Sequence, residues 1–471
     1  MMPLALDILL ACILLLVFVV DLLLPAEDKR GIAVVACAGA LITLAASFVL
    51  DVQGTAFGGA FVNDAVALYL KRVFLAAGAL GVLIGMDHAD RFFPRRQGEY
   101  HLLVLSSLLG MTLLASAREL IFIVVSFELM SMPLYVLAAM RKSERSAEAA
   151  LKLYLVGAVS SVVTLYGLSL LFAAAGTTML SGVTAAAKAG NPMVVPGLVI
   201  TLAGLGFKIG VVPFHMWVPD TYEGAPTPFV AFLSVAPKAA GFAALIRIFI
   251  EALPGQKATW APAVIVMCVI TMVVGNVLAI PQTSVKRLLA YSGIGQMGTM
   301  LLGIGLVTPD GLGMLLFYLV AYLFTNMGAF AVASVIEDAS GSDHLDAFKG
   351  LSRRNPGLAM AMLLFLLSLG GIPFVAGFWA KVGVFVAAYR AGYVWIVVLG
   401  AVLAVVSVFY YMRVARSIYM ERPVAGTEGR VPMALSMKAA VTVACVGVVG
   451  VGLYPAPFVE TALAAARALM G

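Results

Sequence analysis

Long apolar runs follow one another along almost the whole chain, and short polar loops separate them. A helix needs about 20 apolar residues to cross the hydrocarbon core of a bilayer. The runs predict spans at residues 4–24, 31–50, 65–86, 101–116, 119–140, 151–175, 195–217, 227–250, 261–281, 287–307, 312–336, 357–390, 394–415 and 437–455. The pattern therefore predicts an all-α polytopic membrane protein with about 14 transmembrane helices.

Two of the predicted spans contain a proline near a lysine. Span 7 includes GVVPFHMW around Pro213, and span 12 includes GGIPFVAGFWAK around Pro373. Proline breaks the helical hydrogen-bond ladder, and a bilayer tolerates the freed backbone groups only where protein or water satisfies them. The two spans are predicted to run in opposite directions, which is typical of inverted-repeat transporters. We expect each break to let water reach a buried charge; a kink that serves packing alone is the alternative.

The composition supports a membrane protein and explains the basic charge. Hydrophobic residues make up 62% of the chain and charged residues 11%, whereas soluble proteins have about 25% charged residues. The net charge of +6 would suit a nucleic-acid partner, but the basic residues cluster in alternate loops. One set of loops holds about three times as many lysines and arginines as the other, so it is predicted to be cytoplasmic. Both termini then lie on the non-cytoplasmic side, and no nucleic-acid partner is expected.

Five ionisable residues fall inside predicted spans, and they are the candidate functional residues: Glu128, Lys152, Lys208, Lys238 and Lys381. A charge at the centre of a membrane helix costs about 2.5–3.5 kcal/mol on insertion scales. Low polarity favours a neutral lysine and a nearby carboxylate favours a charged one, so such a lysine can be switched between the two forms. The hypothesis is a proton relay in which Glu128 controls Lys208, and Lys208 exchanges protons towards Lys238 and Lys381.

Several of these residues also suit roles other than proton transfer. Glu128 and a lysine would also suit a static buried ion pair, and Lys152 lies near the start of its span, from which its amine can reach the membrane surface. His215 follows the first break. A histidine there suits a proton carrier as well as a hydrogen-bonded side chain near the interface.

The chain offers no pattern for a cofactor or a metal. Its four histidines and four cysteines are scattered, which does not suit a haem, a zinc site or an iron–sulfur cluster. The stretch GIGQMG at 293–298 matches a dinucleotide-binding pattern, but no strand precedes it. Small residues in a membrane helix more often allow close helix packing. Any redox chemistry is therefore expected on other chains.

Several motifs resemble one known family. The run KIGVVPFHMWVPDTYEGAPTP begins at Lys208, AFLSVAPKAAGF surrounds Lys238, FELMSMPLYVLAA surrounds Glu128, and GGIPFVAGFWAK ends at Lys381. KRLLAYS at 286–292 and FKGLSRRNP at 348–356 extend the match. In these features the chain resembles the proton-translocating, antiporter-like membrane subunits of respiratory complex I, a NADH-quinone oxidoreductase. Lys381 distinguishes the chain from subunit M of that complex, which typically has glutamate at this position.

The resemblance implies a fold, a function and a set of partners. It implies two inverted five-helix repeats, at residues 101–250 and 261–415, after an N-terminal three-helix segment (1–100) and before a C-terminal span (437–455). It implies that quinone reduction elsewhere in the complex drives proton movement through Glu128, Lys152, Lys208, Lys238 and Lys381. The expected partners are subunit M and the small membrane subunits, in a bacterial inner (plasma) membrane. Flavin, iron–sulfur clusters and quinone are expected on those partners, with no cofactor in this chain.

One position departs from the family pattern, and two other functions compete with the leading one. After LAYS, relatives usually carry a histidine where this chain has Gln296, which cannot titrate. The first alternative is a subunit of a multi-subunit sodium/proton antiporter without redox input. The second is a passive membrane scaffold, which the buried lysines disfavour. The YEGAPTP run and Lys381 disfavour the antiporter subunit.

Overall fold

The computed structural model describes residues 2–25, 29–50, 52–424 and 429–471, and these are almost entirely helical. The α-helices are α1 (Ala5–Leu23), α2 (Arg30–Val49), α3 (Ala65–Phe92), α4 (Gln97–Ala115), α5 (Leu120–Ala139), α6 (Glu144–Ala175), α7 (Leu180–Lys188), α8 (Val194–Ile209), α9 (Trp217–Gly224), α10 (Thr227–Leu233), α11 (Ala236–Leu245), α12 (Lys257–Ala279), α13 (Val285–Gly305), α14 (Pro309–Ser340), α15 (Leu351–Arg354), α16 (Pro356–Gly370), α17 (Ala376–Arg390), α18 (Val394–Met420), α19 (Leu435–Leu453) and α20 (Ala456–Met470). Two short strands, β1 (Gly54–Ala56) and β2 (Phe61–Asn63), form an antiparallel hairpin.

Many of these helices are built to cross a membrane. Within the described residues, eleven helices are long and apolar enough to do so. Two shorter apolar helices, α8 and α16, accompany them. The prediction of an all-helical polytopic membrane protein is therefore confirmed.

The centre of the bundle is formed by α3, α14 and the segment Thr227–Ala252. The most apolar stretch of Thr227–Ala252 is completely buried, and that of α14 is 89% buried. By contrast, the corresponding stretches of α1, α6 and α18 are only about a third buried and expose many apolar side chains. Exposed apolar faces are stable against lipid or against other membrane subunits.

Both predicted helix breaks are present. The segment 210–216 separates α8 from α9, and the segment 371–375 separates α16 from α17. In each case the first helix ends at a glycine with a left-handed backbone, Gly210 (φ 73°) and Gly371 (φ 78°). Glycine adopts this conformation without a steric cost. Pro213 and Pro373 follow inside the breaks, where their missing N–H groups interrupt no helix.

Span 8 differs from the prediction of one continuous helix over 227–250. The chain instead forms α10, then α11, then a π-helical segment Ile246–Ala252. Pro237 stands in the first turn of α11, where a missing backbone N–H is tolerated. The helix therefore restarts just before Lys238.

Candidate functional site

The amine of Lys208 lies between three helices of the first half. Lys208 occupies the last turn of α8, and its Nζ donates to Ser131 Oγ on α5 (2.9 Å) and to Ser161 Oγ on α6 (3.4 Å). Glu128, also on α5, is half-buried and interacts electrostatically with this amine. In the described structure these two residues form no ion pair within 4.0 Å. Hydroxyl groups, rather than the carboxylate, satisfy the lysine in this conformation.

The first break places the end of α8 against Lys238. A Cβ atom built on Gly210 would lie 3.8 Å from Lys238 Nζ. Two hydrogen bonds hold the break: the Trp217 indole donates to the Phe207 carbonyl (3.1 Å), and the Val212 N–H donates to Thr271 Oγ1 (3.0 Å). Lys238 on α11 therefore lies beside the break, where α11 packs against the end of α8.

Lys238 and two tyrosines form a buried polar group that we call the Lys238 chamber (Lys238, Tyr222 and Tyr322). Lys238 is 1% exposed, and its Nζ lies 5.2 Å from the centre of the Tyr222 ring. The lysine amine and both tyrosine hydroxyls have no hydrogen-bond partner among the described protein atoms. A Cβ atom on Gly293 would lie 2.9 Å from the Tyr322 hydroxyl and 3.8 Å from Lys238 Nζ. Buried polar groups that lie close together without hydrogen-bond partners form a site that suits bound water.

Lys381 lies at the second break in a similar way. It is on α17, it is 8% exposed, and its Nζ donates to the Leu369 carbonyl in the last turn of α16 (2.6 Å). A Cβ atom on Gly371 would lie 3.6 Å from this amine. In each half of the chain, therefore, a buried lysine amine lies beside the left-handed glycine that ends a broken helix.

Gln296 connects Lys381 to a group of tyrosines. Its Nε2 donates to the Leu369 carbonyl that also accepts from Lys381 (3.1 Å), and its Oε1 accepts from the Tyr318 hydroxyl. The Tyr411 hydroxyl lies 3.5 Å from the same Nε2 and 2.5 Å from Ser292 Oγ. A cavity of about 20 Å³ adjoins Gln296 and Lys381, and a cavity of this size holds about one water molecule.

Of the two positions that the sequence left open for Lys152, the structure shows the one near the surface. It lies in the third turn of α6, its side chain is 44% exposed, and it pairs with Glu148 and Asp220 at 2.9 Å each. Helix α6 begins at Glu144, seven residues before the predicted start of its span, so Lys152 lies in its third turn instead of at its first residues. His215 lies in the first break and is half-buried.

Several buried charged groups were not predicted from the sequence. Lys71 pairs with Asp7 at 2.6 Å, with both side chains buried. Arg247, which is 1% exposed, binds Asp64 (2.7 Å), Glu251 (2.7 Å) and the Ala115 carbonyl (2.9 Å). Both lie inside apolar runs, so the rule that selected the other lysines would have found them.

Another such group is Lys286, which the sequence placed in a basic loop. It is 1% exposed and lies 3.3 Å from a carboxylate oxygen of Glu337. No signal in its own segment marked it, because its burial depends on how the two halves of the chain pack. No cluster of His, Cys, Asp or Glu among the described residues is arranged to hold a metal ion.

Two broken helices and buried lysines at the breaks define a membrane protein of the ion-translocating, antiporter-like class. Residues 117–407 match the family described as NADH:quinone oxidoreductase/Mrp antiporter, TM. Over 466 residues the chain is 42% identical to NADH-quinone oxidoreductase subunit N of Moorella thermoacetica, covering 98% of this chain and 97% of the relative. It is also 42% identical to subunit N of Heliobacterium modesticaldum, over 94% of each chain. The chain therefore belongs to this family, on the branch that holds NADH-quinone oxidoreductase subunit N.

Solved structures agree with this assignment. A chain of respiratory complex I from Thermus thermophilus with bound aureothin superposes with a TM-score of 0.82 at 34% identity, covering 97% of this chain and 98% of that one. A chain of the Mrp complex from Dietzia sp. superposes with a TM-score of 0.90, covering 99% and 97%. Its identity is only 22%, so it shows a shared fold and nothing further. The resemblance predicted from the motifs is thus confirmed.

Proposed function

We propose that the chain is a proton-translocating membrane subunit of a respiratory NADH-quinone oxidoreductase, driven by quinone reduction on partner subunits. The observation that carries this proposal is the placement of Lys238 and Lys381, each buried beside a glycine that ends a broken helix. A buried amine next to irregular backbone combines a switchable charge with groups that can hold water. The scaffold alternative offers no reason for these charges.

The proposed proton route runs along buried polar groups from the first half to the second. Glu128 acts on Lys208, and the break beside Gly210 leads to the Lys238 chamber. From Tyr322 the route continues past Tyr318 and Tyr411, whose hydroxyls interact with it electrostatically. It reaches Lys381 through Gln296 and the Leu369 carbonyl.

Gln296 occupies a position in this route where a proton carrier is expected, but its amide cannot titrate. Its amide holds the Tyr318 hydroxyl on one side and the Leu369 carbonyl on the other. The tyrosine hydroxyls and water in the adjoining cavity then transfer the proton, and the amide keeps them aligned. Lys152, paired at the surface with Glu148 and Asp220, serves at the entrance rather than in the interior.

The proposed topology has fourteen crossings. The eleven long apolar helices count once each, α13 adds one, and α8–α9 and α16–α17 each form one broken crossing. Five crossings in each half then form the inverted repeats at 101–250 and 261–415, and both termini lie on the non-cytoplasmic side. Even numbering and the loop charges support this arrangement.

The partners and cofactors follow from the same assignment. The exposed apolar faces of helices such as α1, α6 and α18 suit contact with other membrane subunits and with lipid. Flavin, iron–sulfur clusters and bound quinone belong to the partner subunits. The expected neighbours are subunit M and the small membrane subunits.

Purification of the complex tests this function. The tagged chain is isolated in mild detergent, its partners are identified by mass spectrometry, and electron transfer from a donor to quinone is assayed. Flavin and iron–sulfur subunits with quinone reductase activity are expected. A set of small membrane subunits without redox cofactors would instead establish the sodium/proton antiporter, which has the same fold. In sealed vesicles, Lys208→Ala is expected to abolish proton pumping; unchanged pumping would contradict the relay.

A further inference from the structure

The first turn of α13 holds a short helix from the other half of the chain. Arg287 Nη1 lies 2.8 Å from Asp220 Oδ1 and 2.9 Å from Glu223 Oε2, and both carboxylates are on α9. Lys286 Nζ donates to the Ala225 carbonyl at the end of α9 (3.1 Å). We call these two residues, Lys286 and Arg287, the α9 clamp.

Helix α9 is short and has no continuous helix on either side of it. It has eight residues, and irregular backbone bounds it on both sides: the break at 210–216 before it and Ala225–Pro226 after it. The last carbonyl groups of a helix have no partner within that helix. A basic side chain at this end satisfies them and interacts favourably with the helix dipole. Lys286 does both at Ala225.

The clamp itself is fixed in the second half of the chain. Lys286 also lies 3.3 Å from Glu337 on α14, and the Thr227 hydroxyl donates to the same carboxylate. Ser284 caps α13 by accepting from the Arg287 N–H (3.1 Å). The two basic residues therefore approach α9 from a well-anchored helix start.

The opposite face of α9 bears on the proposed relay. Tyr222 is completely buried, with its ring 5.2 Å from Lys238 Nζ. Successive helical residues turn by about 100°, so Asp220 and Glu223 face the clamp while Tyr222 faces the chamber. Any shift of α9 moves the Tyr222 ring relative to the Lys238 amine.

Asp220 connects the clamp to the first half as well. Its Oδ2 lies 2.9 Å from Lys152 Nζ on α6, and its Oδ1 is the atom that binds Arg287. One carboxylate thus joins a basic residue of each half through α9.

We propose that Arg287, together with Lys286, is a positioning residue for the proton relay. It fixes α9, and through α9 it fixes the Tyr222 ring over Lys238, so that the two halves translocate protons together. The role in translocation rests on the proposed function, whereas the restraint of α9 does not. Asp220 is the shared contact by which Lys152 adds to the same restraint.

The test compares three variants in the intact complex. Arg287→Gln removes the charge and Arg287→Lys keeps it. Arg416→Gln is the control, because Arg416 is an exposed arginine on α18 and is not one of the two clamp residues. Hydrogen–deuterium exchange over residues 217–224 measures the restraint. Quinone reduction and proton pumping in sealed vesicles measure the coupling.

Arg287→Gln is expected to speed exchange in α9 several-fold and to lower the protons pumped per quinone reduced several-fold, with quinone reduction largely retained. Arg287→Lys is expected to restore part of the pumping, since lysine keeps the positive charge near both carboxylates but carries it on a compact ammonium in place of the planar guanidinium. Arg416→Gln is expected to match the unmodified complex in both measurements.

The other possible results would contradict the clamp, the positioning role or the proposed function. Unchanged α9 exchange in Arg287→Gln would overturn the clamp. The exchange of α9 could become faster while pumping stays unchanged and the lysine and glutamine variants behave alike. The contact would then be merely structural, and the positioning role would be overturned. If Lys208→Ala also pumped normally, the proposed function itself would be wrong, while the exchange result would still report on the clamp.

Discussion

At the scale of single residues, the three interior lysines differ in what satisfies their amines. Two serine hydroxyls bind Lys208 and a backbone carbonyl binds Lys381. Lys238 lies over the Tyr222 ring and has no hydrogen-bond partner among the described protein atoms. A buried cation without a hydrogen-bond acceptor is costly. Lys238 is therefore the amine whose charge depends most on water entering its chamber, and we expect it to control the rate of transfer between the halves.

Replacing Lys238 tests this directly. Lys238→Met keeps the length of the side chain but removes the amine, so proton pumping in sealed vesicles is expected to fall by about 10²-fold, a typical contribution of a positioned proton carrier. Lys188→Met, at an exposed lysine, is the matched control and is expected to pump normally. Pumping by Lys238→Met within a factor of two of the control would exclude Lys238 from the route.

Gln296 offers a second residue-scale test. Gln296→Leu removes the amide between Tyr318 and the Leu369 carbonyl, so pumping is expected to drop several-fold while quinone reduction continues. Gln296→His restores a group that bonds on both sides, and it is expected to pump at nearly the original rate. If the leucine variant pumped like the histidine variant, the route would not pass through this position.

The sequence predicted some of these residues and not others, for a physical reason. An apolar run shows how deep a charged residue lies along its own helix. For this reason the sequence predicted Lys208, Lys238 and Lys381 as interior residues. Lys286 was assigned to a loop, whereas it is buried in the first turn of α13. For Lys152 the sequence left an interior and a surface position open, and the structure has the partly exposed one. Their environments depend on neighbouring helices: α9 and α14 bury Lys286, while α6 leaves Lys152 on an open side.

At the scale of elements, the two helix breaks have the same arrangement of residues. A helix ends at a left-handed glycine, a proline follows within three residues, and a lysine from the same or another helix approaches the glycine. Proline and glycine are visible in sequence, so both breaks could be predicted. The subdivision of Thr227–Ala252 could not, since its continuous apolar pattern suits one long helix equally well.

A pair of glycine substitutions separates backbone strain from contact with the lysine. Gly371→Ala forces a left-handed alanine, at roughly 1–2 kcal/mol, and its Cβ would lie 2.9 Å from Lys381 Cδ. Gly392→Ala has the same backbone problem (φ 88°), but nothing lies within 4 Å of its Cβ. We expect both to lower the midpoint of thermal unfolding by similar amounts and only Gly371→Ala to impair pumping. Equal pumping in both variants would show that the break tolerates displacement of Lys381.

At the scale of the whole molecule, Arg247 ties together several parts of the bundle. It joins the carboxylate that caps α3 (Asp64), the carbonyl at the end of α4 (Ala115) and Glu251 in its own π-helical segment. Removing one partner of a buried ion pair typically costs 3–5 kcal/mol. Without Arg247, the two carboxylates would share Arg118 as their remaining partner, which leaves one negative charge uncompensated. These contacts of Arg247 depend on how segments distant in sequence pack together. The hydrophobic pattern does not specify that packing.

Arg247→Gln is accordingly expected to lower the free energy of unfolding by about 3–5 kcal/mol. Arg390→Gln breaks a comparable pair with Asp310, but on the surface, with the arginine 69% exposed. It is expected to cost at most about 1 kcal/mol. Denaturation of the purified variants in the same detergent measures both. A similar loss for the two variants would mean that the Arg247 tie does not stabilise the bundle.

The position of the tryptophans gives the protein its own optical reporters. Of the four tryptophans, Trp217 is bonded across the first break and Trp379 donates to the Gly452 carbonyl beside the second (2.8 Å). In a chain with Trp260→Phe and Trp395→Phe, all indole emission would arise from these two places. A change in the intensity or wavelength of this chain's indole emission during turnover would then report movement at the breaks, without an attached dye.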